Sequence, residues 1–231
     1  MTRNKHQGDA YAEDEHGWYR EPRSCVEQLF DAVDFRGGLI YDPCCGVGNI
    51  LDVAKDRGFA TIGSDIVQRG ARHPFTRGNF LKLTRFPRPI DRPLNIVMNP
   101  PFNTPPGSAL AIALKAIEFV PFWRFAMLVP LEFVCGQDRY EDLFSKHPPW
   151  GVAYCSQRPS MPPGTEVEAL ALLGKDFRGG KADFVWIIWE RDYRGPTRSI
   201  WLRPDRVAAP LSDRRIRRGS RSPSVSAQGR K

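Results

Sequence analysis

An apolar segment that runs directly into a glycine-rich loop constrains the fold of this chain more than any other feature. Residues 38–41 predict a short strand, and the loop Asp42-Pro43-Cys44-Cys45-Gly46-Val47-Gly48 leads into an amphipathic stretch with Asn49 as the expected N-cap. Gly46 and Gly48 permit a tight turn and let backbone amides approach a ligand closely. The order of strand, glycine loop and helix predicts a doubly wound α/β fold.

A second predicted strand, residues 59–63, leads to Ser64 and Asp65. Asp65 follows Asp42 by 23 residues, which is the spacing of a carboxylate that binds ribose hydroxyls. The dinucleotide pattern G-x-G-x-x-G would require a third glycine where this chain has Leu51. The sequence therefore disfavours a nicotinamide cofactor.

The tetrapeptide Asn99-Pro100-Pro101-Phe102 follows a third apolar run at residues 94–98. Two prolines fix φ and remove two backbone donors, so the strand must end and the loop must be stiff. The Asn99 amide and the Pro100 carbonyl can accept two hydrogen bonds from a planar amino group, and the Phe102 ring can stack on its ring system. A nucleobase fits this description, although turn chemistry alone leaves an ordinary strand-ending turn equally open.

Together the two segments resemble the class I S-adenosylmethionine-dependent methyltransferases that methylate amino groups, and in particular the DNA adenine-N6 enzymes. The resemblance extends over residues 19–190 and is sharp only at residues 42–48, at Asp65 and at residues 99–102. It implies a Rossmann-like, mostly parallel sheet with helices on both faces. It also implies seven strands in the order 3-2-1-4-5-7-6, with the last strand antiparallel.

The resemblance implies S-adenosylmethionine as the cofactor and assigns roles to individual residues. The implied catalytic residues are Asn99, Pro100 and Phe102, and no metal is expected. The implied cofactor-binding residues are Asp42, Cys44, Gly46, Gly48, Asp65, Asn79 and Phe80. Asn79 and Phe80 stand where the family usually places an acidic and an aromatic residue. Residues 19–22 match a segment that closes over the methionine end of the cofactor, with Glu21 in place of the commoner threonine.

The remaining periodicity completes an alternation of helices and strands. A capping box at Ser24 and Glu27 predicts a helix over residues 23–34. Further helices are predicted over residues 108–120 and 137–145, and strands over residues 75–81, 125–129, 152–155 and 184–189. Trp186 and Trp189 are expected in the core. The long loop 156–183 would leave the sheet at the edge that carries Asn99, so we expect it to form a lip of the target pocket.

Positive charge is concentrated at the end of the chain. Residues 191–231 hold eleven arginines and one lysine against three aspartates, whereas the whole chain has a net charge of +8. We therefore divide the chain into a polar arm (1–18), a methyltransferase domain (19–190) and a basic, flexible tail (191–231). The cluster Arg214, Arg215, Arg217 and Arg218 is expected to contact phosphates, and a solvated solubility tail is the alternative.

Several classes of protein are disfavoured by composition. Five cysteines without C-x-x-C spacing and four histidines distant from them do not predict a zinc site or a disulfide framework. The polar N-terminus does not resemble a signal peptide, and no apolar run reaches the roughly 20 residues of a membrane span. These features predict a cytoplasmic protein.

Three hypotheses about function follow. The leading one is a DNA adenine-N6 methyltransferase that transfers the methyl group directly, in line, without a covalent intermediate. An RNA adenine methyltransferase would use the same residues, and protein glutamine methyltransferases have a similar motif that ends in tyrosine rather than Phe102. The third is a non-catalytic, nucleic-acid-binding subunit with a methyltransferase fold. The sequence leaves the recognition sequence and the oligomeric state open.

Overall fold

The computed structural model describes residues 16–86, 92–119, 121–167, 180 and 182–204. The arginine cluster at 214–218 and most of the predicted N-terminal arm lie outside these residues. Within the described part of the chain, no helix is long and apolar enough to cross a membrane.

One mixed sheet organises the molecule. Its strands are β1 (Leu39–Asp42), β2 (Ala60–Asp65), β3 (Phe75–Arg77), β4 (Leu94–Met98), β5 (Arg124–Pro130), β6 (Gly151–Cys155), β7 (Phe184–Glu190) and β8 (Arg198–Leu202). They lie in the order β3-β2-β1-β4-β5-β7-β6-β8. The order predicted for the first seven strands is confirmed, and so is the antiparallel orientation of β7 between β5 and β6.

The predicted number of strands is wrong, because the described residues form a sheet of eight. β8 pairs in parallel with β6 along its whole length, from Gly151 opposite Arg198 to Cys155 opposite Leu202. Its residues lie in the segment that the sequence assigned to the tail, where high charge masks a short half-buried strand. Only Leu202 of β8 is fully buried, and Ile200 packs against the core, so the period-2 signal is weak.

Helices cover both faces of the sheet, as the α/β fold requires. α1 (Arg23–Ala32) and α2 (Asn49–Asp56) bury their apolar sides in one core cluster, which includes Leu29 and Ile50. α3 (Ser108–Phe119) packs on the opposite face, where Ala113 contacts a second cluster. Trp186 and Trp189 are both buried, as predicted.

Several local predictions differ from the structure. The capping box is wrong, since Pro22 is the N-cap of α1 without a side-chain hydrogen bond and Glu27 pairs with Arg23. Strand β3 is shorter than predicted, because the chain turns into a 3₁₀ helix at Phe80–Lys82. The polar helix consists of a short α4 (Gln137–Arg139) that continues as a π-helix over Tyr140–Phe144.

Candidate active site

The loops that follow β1 and β4 are neighbours at one edge of the sheet. β1 and β4 pair in parallel, with Tyr41 opposite Ile96, so their carboxyl ends meet. A cavity of about 320 Å³ lies there and extends toward the end of β2. Of the residues singled out by sequence, the cavity is lined by Cys44, Asp65, Asn79, Phe80 and Asn99. A small adjoining cavity of about 10 Å³ is lined by Asp42, Cys44, Gly46 and Asn99.

The glycine loop is held in shape by the two aspartates that flank it. Asp42 accepts a hydrogen bond from the backbone N–H of Cys44 at 2.9 Å. Asp65 accepts one from the N–H of Gly46, also at 2.9 Å. Gly46 and Gly48 have φ values of 51° and 94°, which favour glycine. The loop therefore has the conformation that its glycines predicted.

The Asp65 carboxylate has further partners. It accepts hydrogen bonds from the backbone N–H of Val67 at 3.0 Å and from the guanidinium of Arg69 at 3.3 Å. A carboxylate has about four lone-pair sites, so one remains for a ligand in the cavity. The structure thus gives Asp65 a loop-shaping role that sequence spacing did not reveal. Its contact with ribose stays a prediction.

Asn49 does not cap α2, contrary to the prediction. Gly48 is the N-cap residue, and the Asn49 side chain reaches to the segment that precedes α1. There its Nδ2 donates to the carbonyl of Glu21 at 2.9 Å, and its Oδ1 accepts from Arg20 at 3.0 Å. Asn49 therefore fixes the backbone of residues 20–21 against the glycine loop.

The segment at residues 16–22 forms a wall of the site together with part of the long loop after β6. Arg20 donates its backbone N–H to the carbonyl of Pro162, and Gly164 donates to that of Trp18. The Trp18 ring lies between two glycines: a Cβ on Gly46 would stand 2.6 Å from its Nε1, and one on Gly164 would meet the ring at 2.3 Å. The described part of loop 156–183 thus packs on residues 18–20, and residues 168–179 and 181 lie outside the described chain.

Asn99 has a fixed donor end and an available acceptor end. Its Nδ2 donates to the carbonyl oxygen of Tyr19 and to Oε2 of Glu21, both at 2.9 Å. Its Oδ1 is buried and has no hydrogen-bond partner within the described chain. An unsatisfied buried acceptor costs about 1–3 kcal/mol and therefore requires an explanation. An amino group bound in the adjoining cavity would satisfy it.

Two buried carboxyl groups, those of Glu21 and Asp42, line the small cavity together with Asn99. Burial raises the pKa of Glu21 from 4.5 to about 7, although the hydrogen bond from Asn99 and the charge of Arg20 act in the opposite direction. Burial also raises the pKa of Asp42 well above its usual value, and the nearby charges of Glu21 and Asp65 raise it further. A cation bound beside these groups would relieve the penalty for ionising them.

The other two residues of the predicted catalytic trio are placed differently. Pro100 is buried, and no donor within the described chain bonds its carbonyl oxygen. The Phe102 ring lines neither cavity. It stacks on Tyr19 at 6.2 Å between ring centroids and contacts Phe184 at 5.6 Å. Its stacking on a substrate ring stays a prediction.

At the other end of the large cavity, Asn79 accepts a hydrogen bond from the N–H of Leu81 and so caps the 3₁₀ helix. Phe80 is buried against the edge of Tyr41. Ile66, which sequence reasoning missed, lines the same region and is 38% exposed. Its position directly after Asp65 was the available signal. Among the described residues, no group of three or more metal-binding side chains is placed to hold an ion.

Comparison with solved structures identifies the class of fold, whereas comparison with known sequences finds no match. No protein-family model and no curated protein sequence matches this chain. A Pyrococcus horikoshii protein provisionally named an RNA methyltransferase is similar with a TM-score of 0.51 at 15% identity, over 82% of this chain and 98% of that chain. A Lactococcus lactis protein provisionally named a hemolysin has a TM-score of 0.53 at 13% identity, over 76% and 90%. These likenesses show an α/β Rossmann-like methyltransferase fold.

Proposed function

We propose that this protein is an S-adenosylmethionine-dependent methyltransferase that methylates an exocyclic amino group of a nucleobase. The observation that carries the proposal is the buried, unpartnered Oδ1 of Asn99 at the edge of the cavity. A buried acceptor that lacks a donor is complementary to an amino group. The Pro100 carbonyl supplies a second acceptor one residue further along the chain.

The chemistry follows from the weak nucleophilicity of such an amino group, whose lone pair is delocalised into the ring. Asn99 Oδ1 and the Pro100 carbonyl would accept hydrogen bonds from the two N–H groups of the amine. These bonds would favour a more tetrahedral nitrogen with a localised lone pair. S-adenosylmethionine would supply an electrophilic methyl group: the N–CH3 bond forms as the S–CH3 bond breaks, a neutral thioether leaves, and the methylated nitrogen loses one proton to solvent. The stiff Pro100-Pro101 loop holds both acceptors in place, so orientation accounts for much of the rate.

The residues of the site fit this cofactor chemically. Asp65, Ile66, Asn79 and Phe80, which line the 320 Å³ cavity, would hold the adenosine end. Asp42 is a buried carboxyl whose pKa is raised, and its carboxylate would favour the positive charges of the methionine end. Only about 10 Å³ is open beside Gly46, because Trp18 packs on this glycine. Binding would therefore require the Trp18 ring to move.

The polymer that carries the base is proposed to be nucleic acid, with RNA as the first substrate to test and DNA beside it. The preference for DNA made from sequence receives no support from the comparisons, since the similar Pyrococcus protein is named for RNA. An exposed aromatic and basic surface on β8 supports a nucleic-acid partner. We call it the β8 surface and define it by Tyr154, Trp201 and Arg203.

Trp201 is the centre of the β8 surface. Its side chain is 71% exposed and stacks on Tyr154 at 5.3 Å between ring centroids. Arg203 follows β8 directly and is two residues from Trp201, so the alternation of side chains along a strand places both on the same face of the sheet. Aromatic rings beside arginines stack on bases and contact phosphates without strict sequence preference. β8 is four strands from β4, roughly 19 Å across the sheet, so one short single strand could reach both sites.

A transfer assay tests the proposal. The protein is incubated with S-adenosylmethionine labelled on its methyl group, and separately with total RNA, genomic DNA and a protein extract. We expect label in a nucleic-acid fraction for the native chain and none for Asn99→Ala. If only the protein fraction is labelled, the substrate is a side-chain amide and not a nucleobase. Failure to bind the cofactor in a calorimetric titration would favour a non-catalytic binding subunit.

A further inference from the structure

We infer that Glu21 is a positioning residue that fixes the orientation of the Asn99 amide and so presents Oδ1 to the substrate. This inference rests on the proposed function. Glu21 is 8% exposed and lies in the segment before α1, 78 residues from Asn99 in sequence. It would act through Asn99 and would not touch the amino group.

A side-chain amide can rotate by 180° and exchange its oxygen with its NH₂ group, so something must select one orientation. At Asn99 the inner end of the amide faces two acceptors, the Tyr19 carbonyl and the Glu21 carboxylate. An NH₂ group satisfies both with its two hydrogens. A rotated amide would place its oxygen 2.9 Å from two other oxygens, which repel it. The pair of acceptors therefore directs Oδ1 away from Tyr19 and Glu21.

Glu21 is itself held in place. Its backbone carbonyl accepts a hydrogen bond from Asn49, and Asn49 begins α2 directly after the glycine loop. Arg20 donates to the same Asn49 side chain. The carboxylate is thereby anchored to the element that forms the cofactor loop. Cofactor loop, Glu21 and Asn99 thus form one hydrogen-bonded chain of contacts.

The orientation of the Asn99 amide should depend on pH, because Glu21 can be protonated. The charged or titratable groups around Glu21 are Arg20, which lowers its pKa, and Asp42 and Cys25, whose own pKa values are raised by the Glu21 charge. Burial outweighs Arg20, and the pKa of Glu21 is about 7. Once protonated, Glu21 carries an O–H donor that can bond a rotated Asn99 oxygen. Protonation would therefore reduce the fraction of Asn99 that presents its acceptor.

The first test observes Asn99 directly and needs no cofactor. The ¹⁵N resonance of the Asn99 side-chain amide, assigned by its absence in Asn99→Ala, is followed from pH 5 to pH 9. We expect it to titrate with a midpoint near 7 in the native chain and to stay constant in Glu21→Gln. Glu27→Gln, at an exposed position on α1, is the matched control and should titrate like the native chain. An Asn99 resonance that ignores pH, or that still titrates in Glu21→Gln, would overturn the inference.

The second test uses the reaction. We expect the native kcat/KM, which reports the protonation of the free protein, to fall as the pH is lowered through about 7. This limb should vanish in Glu21→Gln, which keeps an acceptor oxygen. Glu21→Ala removes a charge-assisted hydrogen bond and should lower kcat by about 10- to 100-fold. The Kd for S-adenosylmethionine should change less than threefold in both variants.

A different pattern separates the possible failures. Weaker cofactor binding with an unchanged kcat would make Glu21 a cofactor ligand and would contradict a positioning role. If the native chain transfers no methyl group to any substrate, the proposed function fails, and the Asn99 resonance still decides whether Glu21 controls the amide.

Discussion

The Asn99 side chain separates its two donors from its acceptor, and the proposed chemistry depends on that separation. The donors are used inside the protein by Tyr19 and Glu21, whereas the acceptor Oδ1 is buried and has no partner within the described chain. The sequence identified Asn99 because two prolines follow it at a strand end. It could not identify Glu21 as its partner, since that contact spans 78 residues and depends on tertiary packing.

Replacing Asn99 by alanine should therefore abolish methyl transfer. Loss of one preorganised oxyanion-hole donor typically costs 100- to 1,000-fold in rate, and we expect the loss of this acceptor to have an effect of the same order. We expect kcat to fall by at least about 100-fold while the calorimetric Kd for S-adenosylmethionine stays within threefold, because the adenosine end of the cavity is untouched. Turnover by Asn99→Ala close to the native rate would refute the mechanism.

Glu21 should also reduce stability at neutral and alkaline pH. Its pKa is raised from 4.5 to about 7 on folding, so the folded state holds its proton more tightly than the unfolded state. The resulting stabilisation is complete below about pH 4.5 and is lost as the pH rises through about 7. The loss amounts to roughly 3 kcal/mol for a shift of this size.

Urea unfolding of the native chain and of Glu21→Gln at pH 5 and pH 8 measures this effect. We expect the variant to become relatively more stable at pH 8, by an amount on the order of the lost 3 kcal/mol. An equal difference between the two proteins at both pH values would show that Glu21 does not carry the raised pKa.

At the scale of elements, the glycine loop needs a close contact between β2 and α2. Gly63 in β2 provides it: an added Cβ would stand 2.8 Å from the Cys45 sulfur and 2.9 Å from Cδ1 of Leu51. Leu51 occupies the position where a dinucleotide-binding loop has its third glycine. In this protein the glycine that allows the helix and the strand to pack closely is therefore in the strand, at Gly63, and not in the helix.

Gly63→Ala should destabilise the protein by about 1–3 kcal/mol through overpacking. For a chain of this size, that corresponds to a decrease in Tm of roughly 2–4 °C per kcal/mol. Gly37→Ala is the matched control, since an added Cβ there meets nothing within 4 Å. Equal melting temperatures for the two variants in differential scanning calorimetry would contradict the packing argument.

Elements with strong apolar patterns were predicted well, and those with weak patterns were not. β4 matches its predicted bounds, because Leu94–Met98 is buried throughout and Pro100 follows. β8 was missed because three of its five residues are exposed and only Leu202 is fully buried. The contact between Trp18 and Gly164 could not be predicted either, because the two residues are about 146 positions apart. The sequence around each of them has no periodic pattern that indicates a helix or a strand.

At the scale of the whole molecule, the sheet carries the proposed chemistry and the proposed polymer contact at separate positions. β8 runs parallel to β6, which is antiparallel to β7, and β7 is antiparallel to β5. The carboxyl end of β8 therefore lies at the same edge of the sheet as Asn99. The chain leaves β8 at Leu202 and continues toward the arginine-rich residues 214–218.

Trp201→Ala should weaken binding of single-stranded nucleic acid by about 5- to 100-fold, because stacking on one aromatic contributes roughly 1–3 kcal/mol. Fluorescence anisotropy with a labelled oligonucleotide measures it. Tyr140→Ala is the matched control, since Tyr140 is 64% exposed but belongs to the π-helix outside the β8 surface. Equal affinities of the two variants would show that the β8 surface does not bind nucleic acid.

Removal of residues 213–231 tests the predicted phosphate contacts of the basic tail. Each phosphate contact that is lost should lower the slope of log K against log salt concentration by about 0.7 for a single strand. We expect a smaller slope and weaker binding for the truncated chain. An unchanged slope would leave the tail without a role in binding.

The most direct test of the central claim is the identity of the methylated atom. Nucleic acid methylated by the native protein is digested to nucleosides, and the product is identified by mass spectrometry against synthetic standards. We expect a methyl group on an exocyclic nitrogen, and N6-methyladenosine or its deoxy form is the first expectation. A methyl group on a ring carbon or on a ribose oxygen would contradict it, because Asn99 and Pro100 offer acceptors that only an amino group requires.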